Sequence, residues 1–183
     1  MITKPITLVF LLIAFFIIAE GPQSFAASKV EIDAYVEEAL ENFYKETSAG
    51  KKLAGKAVGI LVFPKVYKAG LGVGGEYGEG ALLIGGNTAD YYSTASASIG
   101  FQLGAQVKTQ IILFMNKKVL SDFRNSSGWE AGVDGSVAIA TLGTGGEIDT
   151  KTRKEPIIGF ILSNKGLMYN LTIEGAKMTK IKK

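Results

Sequence analysis

Tyr91-Tyr92-Ser93-Thr94-Ala95-Ser96-Ala97-Ser98-Ile99-Gly100-Phe101-Gln102-Leu103-Gly104-Ala105-Gln106-Val107 alternates apolar and small polar side chains almost without a break. Tyr91, Ala95, Ala97, Ile99, Phe101, Leu103, Ala105 and Val107 fall on odd positions, with Thr94, Ser96, Ser98, Gln102 and Gln106 on even ones. Successive side chains of a β-strand point to opposite faces, so the run predicts a strand with one apolar and one polar face. The domain is therefore expected to be built on a half-buried sheet. Gly100 and Gly104 are expected to bend the strand around a corner.

Upstream of this run, Gly85-Gly86-Asn87 is a turn signal. Val58-Gly59-Ile60-Leu61-Val62-Phe63 is a short apolar stretch, read as a buried strand that ends at Pro64. Gly70, Gly72, Gly74, Gly75, Gly78 and Gly80 follow, and each glycine costs a helix up to about 1 kcal/mol relative to alanine. That segment is read as strands joined by tight turns. Further upstream, Ser28 and Glu31 form the S-x-x-E pattern of a capping box, and Ile32, Tyr35, Val36, Ala39, Leu40, Phe43 and Tyr44 recur on one helical face. A helix is predicted from Ser28 to a stop at Gly50, with a short further turn over Lys51 to Ala57.

Downstream, Lys117 to Phe123 is expected as a short helix and Asn125-Ser126-Ser127-Gly128 as a loop. Strand patterns recur at Val133 to Ala140, Ile157 to Leu162 and Leu167 to Glu174, with Asn164-Lys165-Gly166 as a hairpin turn between the last two. The order predicts an α+β fold: an N-terminal amphipathic helix packed on a Gly-rich, curved antiparallel β-sheet or small barrel.

Residues 1–26 are expected to be a signal peptide, with residues 27–183 forming a single domain. The apolar run Ile6 to Ala19 makes only about 21 Å of helix, shorter than the roughly 30 Å hydrocarbon core of a bilayer. Ser24-Phe25-Ala26 has the small residues of a cleavage site, leaving Ala27 as the mature start. The alternative is an uncleaved anchor that tethers the same domain outside the cytoplasm. With no cysteine, neither disulfides nor a lipid-attachment thiol are available, and the formal charge of +3 is unchanged by loss of Lys4 and Glu20.

Without histidine or cysteine, the usual nucleophilic triads and zinc sites have no residues to form them. Gly70-Leu71-Gly72-Val73-Gly74-Gly75 matches G-x-G-x-x-G literally, and Asp90 lies downstream. A dinucleotide site needs a helix to follow the glycines, and Glu76-Tyr77-Gly78-Glu79-Gly80 does not favour one, so no nucleotide cofactor is expected. Glu76 and Glu79 could pair as an acid and base, with Asp90 as a further carboxylate. Their more economical role is a solvated hairpin rim. Ser163 and Lys165 fit a turn better than a dyad.

Charge is distributed unevenly. The first helix carries Glu31, Asp33, Glu37, Glu38, Glu41 and Glu46, whereas Thr47 to Gly75 contains no acid and includes Lys51, Lys52, Lys56, Lys65 and Lys68. Lys177, Lys180, Lys182 and Lys183 close the chain. Lysines gathered on one surface would each contribute about 1 kcal/mol against an anionic membrane. With only Arg124 and Arg153 as arginines, nucleic acid is not an expected partner.

Lys56-Ala57-Val58-Gly59-Ile60-Leu61-Val62-Phe63-Pro64, Lys68 to Gly75, Gly78-Glu79-Gly80, Tyr91-Tyr92-Ser93 and Gly100 to Gln106, in this order, resemble the SYLF domain family. Gly166-Leu167-Met168 and Leu171 to Gly175 are similar to the family's closing strand. The resemblance is to its exported bacterial branch and implies a non-enzymatic lipid-binding module without a cofactor. Eukaryotic relatives bind phosphoinositides and, in some cases, actin filaments; neither partner is expected in a bacterial envelope. The acidic leading helix and the missing lipoprotein cysteine depart from the family pattern. The resulting expectation is an exported, periplasmic protein, peripheral to a membrane, that binds anionic phospholipid through Lys51, Lys52, Lys56, Lys65 and Lys68. The alternative is an interaction protein that binds a protein partner through a sheet edge, and a hydrolase using Glu76, Glu79 or Asp90 is a third reading.

Overall fold

The computed structural model describes residues 27–140, 148–163, 166–167, 173 and 175–183. The expected leader, the turn residues Asn164 and Lys165, and most of the strand expected over Leu167–Glu174 lie outside the described residues.

Helix α1 spans Lys29–Glu46 and starts with the full capping box: the Glu31 N–H donates to Ser28 Oγ and the Ser28 N–H to the Glu31 carboxylate. Donation to its charged form, first from the Ser28 N–H and then from the Ser28 side chain, holds the Glu31 carboxyl below its usual range. The helix ends at Thr47, not at Gly50, and a second helix, α2, covers Ser48–Ala54. Gly50 lies inside α2 because a Cβ there would stand 2.6 Å from the Phe43 ring. It permits a close approach between helices rather than a stop.

Strand β1 runs unbroken through Gly59–Ile84 and pairs antiparallel with β2, Asn87–Phe114. Gly85 and Gly86 both have positive φ, +59° and +83°, and form the two-residue turn expected between them. Two expectations are corrected here. Pro64 does not end a strand, and Gly70 to Gly80 do not separate several strands. Pro64 sits in a register shift between Phe63 and Val66, where the ladder does not need its missing N–H, and its carbonyl accepts from Thr109 Oγ1 at 2.8 Å.

The glycines instead let the ribbon fold over itself. A Cβ on Gly80 would overlap the Val62 carbonyl oxygen, and one on Gly78 would stand 2.7 Å from the Lys65 carbonyl. The two ends of β1 therefore lie against each other through one face, which becomes concave.

Among the described residues the sheet has seven strands and is completed by β3 (Trp129–Glu130), β4 (Ala138–Ile139), β5 (Ile157–Ser163), β6 (Gly166–Leu167) and β7 (Lys177–Ile181). β2 carries β7 along Tyr91–Ala95 and β5 along Thr109–Phe114. Pairing is antiparallel except for the short β4–β5 contact, and the α+β architecture with a curved sheet holds. Val133 to Ala140 is not one strand: Val133 and Asp134 donate back to the Glu130 carbonyl in a turn, and only Ala138–Ile139 pairs.

Each face of the ribbon base has its own core. On the convex side, Ile32, Val36, Ala39 and Phe43 of α1 pack on Val62, Ala81, Tyr91, Ile111, Leu113 and Phe160. Phe43 meets Phe160 edge-on at 4.7 Å. On the concave side, helix α3 (Lys117–Asn125) places Phe123 against Tyr92 and Phe114, each at 4.8 Å, and Trp129 closes over it at 5.7 Å. Asn116 caps α3 by accepting from the Val119 N–H.

Candidate lipid-binding surface

The lysines of the acid-free segment are separated by the fold. Leu53 and Ala54 are buried and pin α2 to the core, which turns Lys51 and Lys52 outward; Lys56 follows the Gly55 cap and is also exposed. Lys51 Nζ lies 5.8 Å above the Tyr44 ring. Near the C-terminal end of α2, Lys51 and Lys52 also complement the helix dipole. Neither Lys52 nor Lys56 has an ion pair among the described residues.

Lys65 and Lys68 lie elsewhere, Lys65 against α1 and Lys68 on the concave side. Lys65 Nζ stands 3.3 Å from the centre of the Tyr35 ring, and Lys68 pairs with Glu76 at 3.5 Å. Glu76 also receives Lys108 at 2.7 Å. Tyr35, Glu38 and Asn42 lie on the Lys65 flank of α1, whereas Glu37, Leu40 and Tyr44 face Gly55 and Ala57 across a cleft. The helix thus separates Lys51, Lys52 and Lys56 from Lys65 and Lys68.

The C-terminal lysines join neither group. They belong to or follow β7, a strand that their charge concealed in the sequence: Met178 is buried while Lys180 pairs with Asp90 at 2.5 Å. Lys183 Nζ pairs with Glu79 at 2.7 Å and donates to the Ala27 carbonyl at 2.8 Å, while the Ala27 N–H also donates to Glu79. This joins the two described ends of the domain.

The three candidate carboxylates do not converge. Glu76 faces the concave interior with its two lysines. Glu79, three residues along the same strand, projects from the opposite face, where the Tyr77 hydroxyl donates to it at 2.9 Å. Asp90 is held by Lys180 and by Arg124 at 3.0 Å. The G-x-G-x-x-G run lies within β1 and continues as strand, so no helix N-terminus faces a phosphate there.

A third feature of the surface has no local signal in the sequence. Beyond the base, the convex face exposes apolar side chains: Tyr67 is 55 % exposed, Tyr77 49 % and Val107 44 %, with Ala69, Ala95 and Ala97 exposed beside them and Lys65 and Glu79 at the border with α1. Tyr67 pairs directly with Val107, and Tyr77 with Ala95. The concave face at the same level carries Thr94, Lys108 and Gln110, all buried. The alternation in the sequence marked two unlike faces but carried no signal for which one would be covered.

Residues 95–183 match the model of the Ysc84 family, described as Las17-binding protein actin regulator. The match is consistent with a SYLF domain. It begins within β2, so the SYLF match and the preceding motifs share one ladder: Lys68 pairs with Gln106, Val62 with Ile111 and Gly59 with Phe114. Residues 59–94 thus supply the other strand and the turn end of the hairpin that the matched segment completes. No curated protein matches the chain.

Proposed function

We propose that the chain is a non-enzymatic, exported lipid-binding module of the cell envelope that meets anionic phospholipid from the periplasmic side through Lys51, Lys52 and Lys56. The observation carrying this reading is that these three lysines are exposed on and just after one short helix, in a segment without acids from Thr47 to Gly75. The SYLF match supports the lipid part, because the family is related to lipid binding and actin regulation. Lys65 and Lys68, engaged by Tyr35 and Glu76, are assigned secondary roles.

Each lysine near an anionic surface contributes about 1 kcal/mol, so three together strengthen association by about two orders of magnitude at low salt. Sedimentation with phosphatidylglycerol vesicles tests the reading, with phosphatidylcholine vesicles as the neutral control. Binding is expected only to the anionic vesicles, is weakened by salt, and falls about a hundredfold when Lys51, Lys52 and Lys56 are all changed to Gln. Absence of binding, or binding indifferent both to salt and to the three charges, overturns it.

The sheet-edge alternative has one observation in its favour: β1 has only β2 as a strand partner among the described residues. Crosslinking that captures a protein at this edge without lipid would favour that reading.

A further inference from the structure

Soluble sheets place apolar side chains inward and charges outward. At the bend of the β1–β2 ribbon the arrangement is reversed. Tyr67, Tyr77, Ala95, Ala97 and Val107 face outward, while Glu76 and Lys108, with side chains only 12 % and 9 % exposed, form an ion pair on the sheltered side. Sheltered ions facing away from an apolar outer surface are the pattern of strands whose outer solvent is lipid.

Three further observations identify the occupant. First, the sequence has no charged residue from Tyr91 to Val107, and none from Ala69 to Gly75 on the paired strand, so the charges that border this face lie beside α1, at Lys65 and at Glu79, which is already paired with Lys183. Second, Tyr67 and Tyr77 flank the bend, and tyrosine favours the boundary between headgroups and acyl chains because its ring is apolar and its hydroxyl polar. Third, Tyr67 and Tyr77 line a largely apolar cleft of about 490 Å³ with Ile32 and Tyr35 of α1, bordered by Lys65 and Glu79.

We propose that the convex face of the ribbon bend, carried by Tyr67, Tyr77, Ala95, Ala97 and Val107, is a membrane-insertion surface that enters the acyl-chain boundary of a lipid bilayer. It rests on the lipid-binding reading and adds a contact on the opposite side of α1 from Lys51, Lys52 and Lys56. Insertion is shallow, because the bend, a two-stranded ribbon among the described residues, needs water or headgroups for the N–H and C=O groups of its edges.

The absence of native cysteine provides the test, since one introduced thiol can be labelled uniquely. Val107→Cys and Ala97→Cys, each carrying an environment-sensitive fluorophore, are compared with Lys52→Cys on protein purified in the form the cell produces. The probes are phosphatidylglycerol vesicles with and without nitroxide-labelled acyl chains. Labels at 107 and 97 are expected to shift to the blue and be quenched, while the label at 52 stays quenchable from water. Changing both Val107 and Ala97 to Asp is expected to weaken vesicle binding about tenfold with an unchanged unfolding midpoint.

Protein that sediments with vesicles while the labels at 107 and 97 remain in water overturns the insertion surface and leaves the lipid-binding reading standing. Protein that does not sediment overturns both. Labels that are blue-shifted without vesicles also overturn the proposal, by a second copy if the shift rises with protein concentration and by residues 1–26 if it does not. An aspartate double variant that binds like the parent overturns it as well.

Discussion

The base and the bend of one β-hairpin follow the same strand grammar in different surroundings. At the base, Leu61, Val62 and Phe63 on β1 and Ile111 to Phe114 on β2 are fully buried, because α1 covers one face and α3 with Trp129 covers the other. At the bend, α1 no longer covers the convex face and Tyr67, Tyr77 and Val107 are left open. A strand's alternation fixes which side chains travel together, and the covering element decides which set is inside.

Glycine substitutions within β1 provide the sharpest test of that contrast. Gly80→Ala pushes a methyl into the Val62 carbonyl at the crossing of the folded ribbon, and urea unfolding is expected to show a loss of about 4 kcal/mol or failure to fold. Gly75→Ala, at the bend of the same strand, meets only the Ser96 carbonyl at an ordinary 3.6 Å and should leave stability within about 0.5 kcal/mol. Equal effects would mean that the two regions are not packed differently.

A smaller loss, about 3 kcal/mol, is expected for Phe43→Ala, which empties a fully buried site between α1 and Phe160 and also removes the ring that makes Gly50 necessary. Gly50→Ala, strongly destabilising in the parent chain, should cost clearly less in the Phe43→Ala background, where only the Thr47 methyl group, 2.9 Å from the added Cβ, still crowds it. Additive losses in the double variant would show that the Gly50–Phe43 contact is not the reason for glycine.

On the concave side of the bend, Glu76→Gln leaves Lys108 sheltered without its countercharge, and about 2 kcal/mol of stability should be lost. Lys108→Met together with Glu76→Gln should recover part of it. No recovery would indicate that the carboxylate acts through something other than the pair.

Helix α1 was legible because its capping box and apolar stripe are local, and the Gly85-Gly86 turn because two positive φ values demand residues without a Cβ. Pro64 was misread because its missing N–H matters only if the ladder needs it, and a register shift 45 residues from Thr109 in sequence removes that need. The glycines at 78 and 80 looked like turns because composition cannot distinguish positive φ from close packing. β7 was hidden by its lysines, whose partners Asp90 and Glu79 are remote in sequence. The lysine cluster was legible only where it is contiguous, at Lys51, Lys52 and Lys56. The exposed apolar side chains of the convex face were not legible, because cover by α1 is a tertiary property.

Tyr91 and Tyr92 mark the two faces of the base, and their ionisation can separate them. Tyr91 is buried under α1 and donates to both Asp33 oxygens, at 2.9 and 2.8 Å; burial first, and then the Asp33 bond and charge, push its phenol to about 12. Tyr92 points to the concave core, where burial and then the charge of Asp90 also push it to about 12. An unfolded tyrosine ionises near pH 10, so between about 10 and 12 the native state holds more protons than the unfolded state. Stability contributed by these phenols is fully present below pH 10 and is lost as pH rises towards 12. Asp33→Asn removes the anion beside Tyr91 without touching Tyr92. Phenolate absorbance should then show one titration moving down towards pH 10 while Tyr92 remains near 12, with Tyr91→Phe and Tyr92→Phe assigning each transition. If both phenols move together, the sheet does not insulate its faces electrostatically, and the separation of convex from concave chemistry fails at its best-packed point.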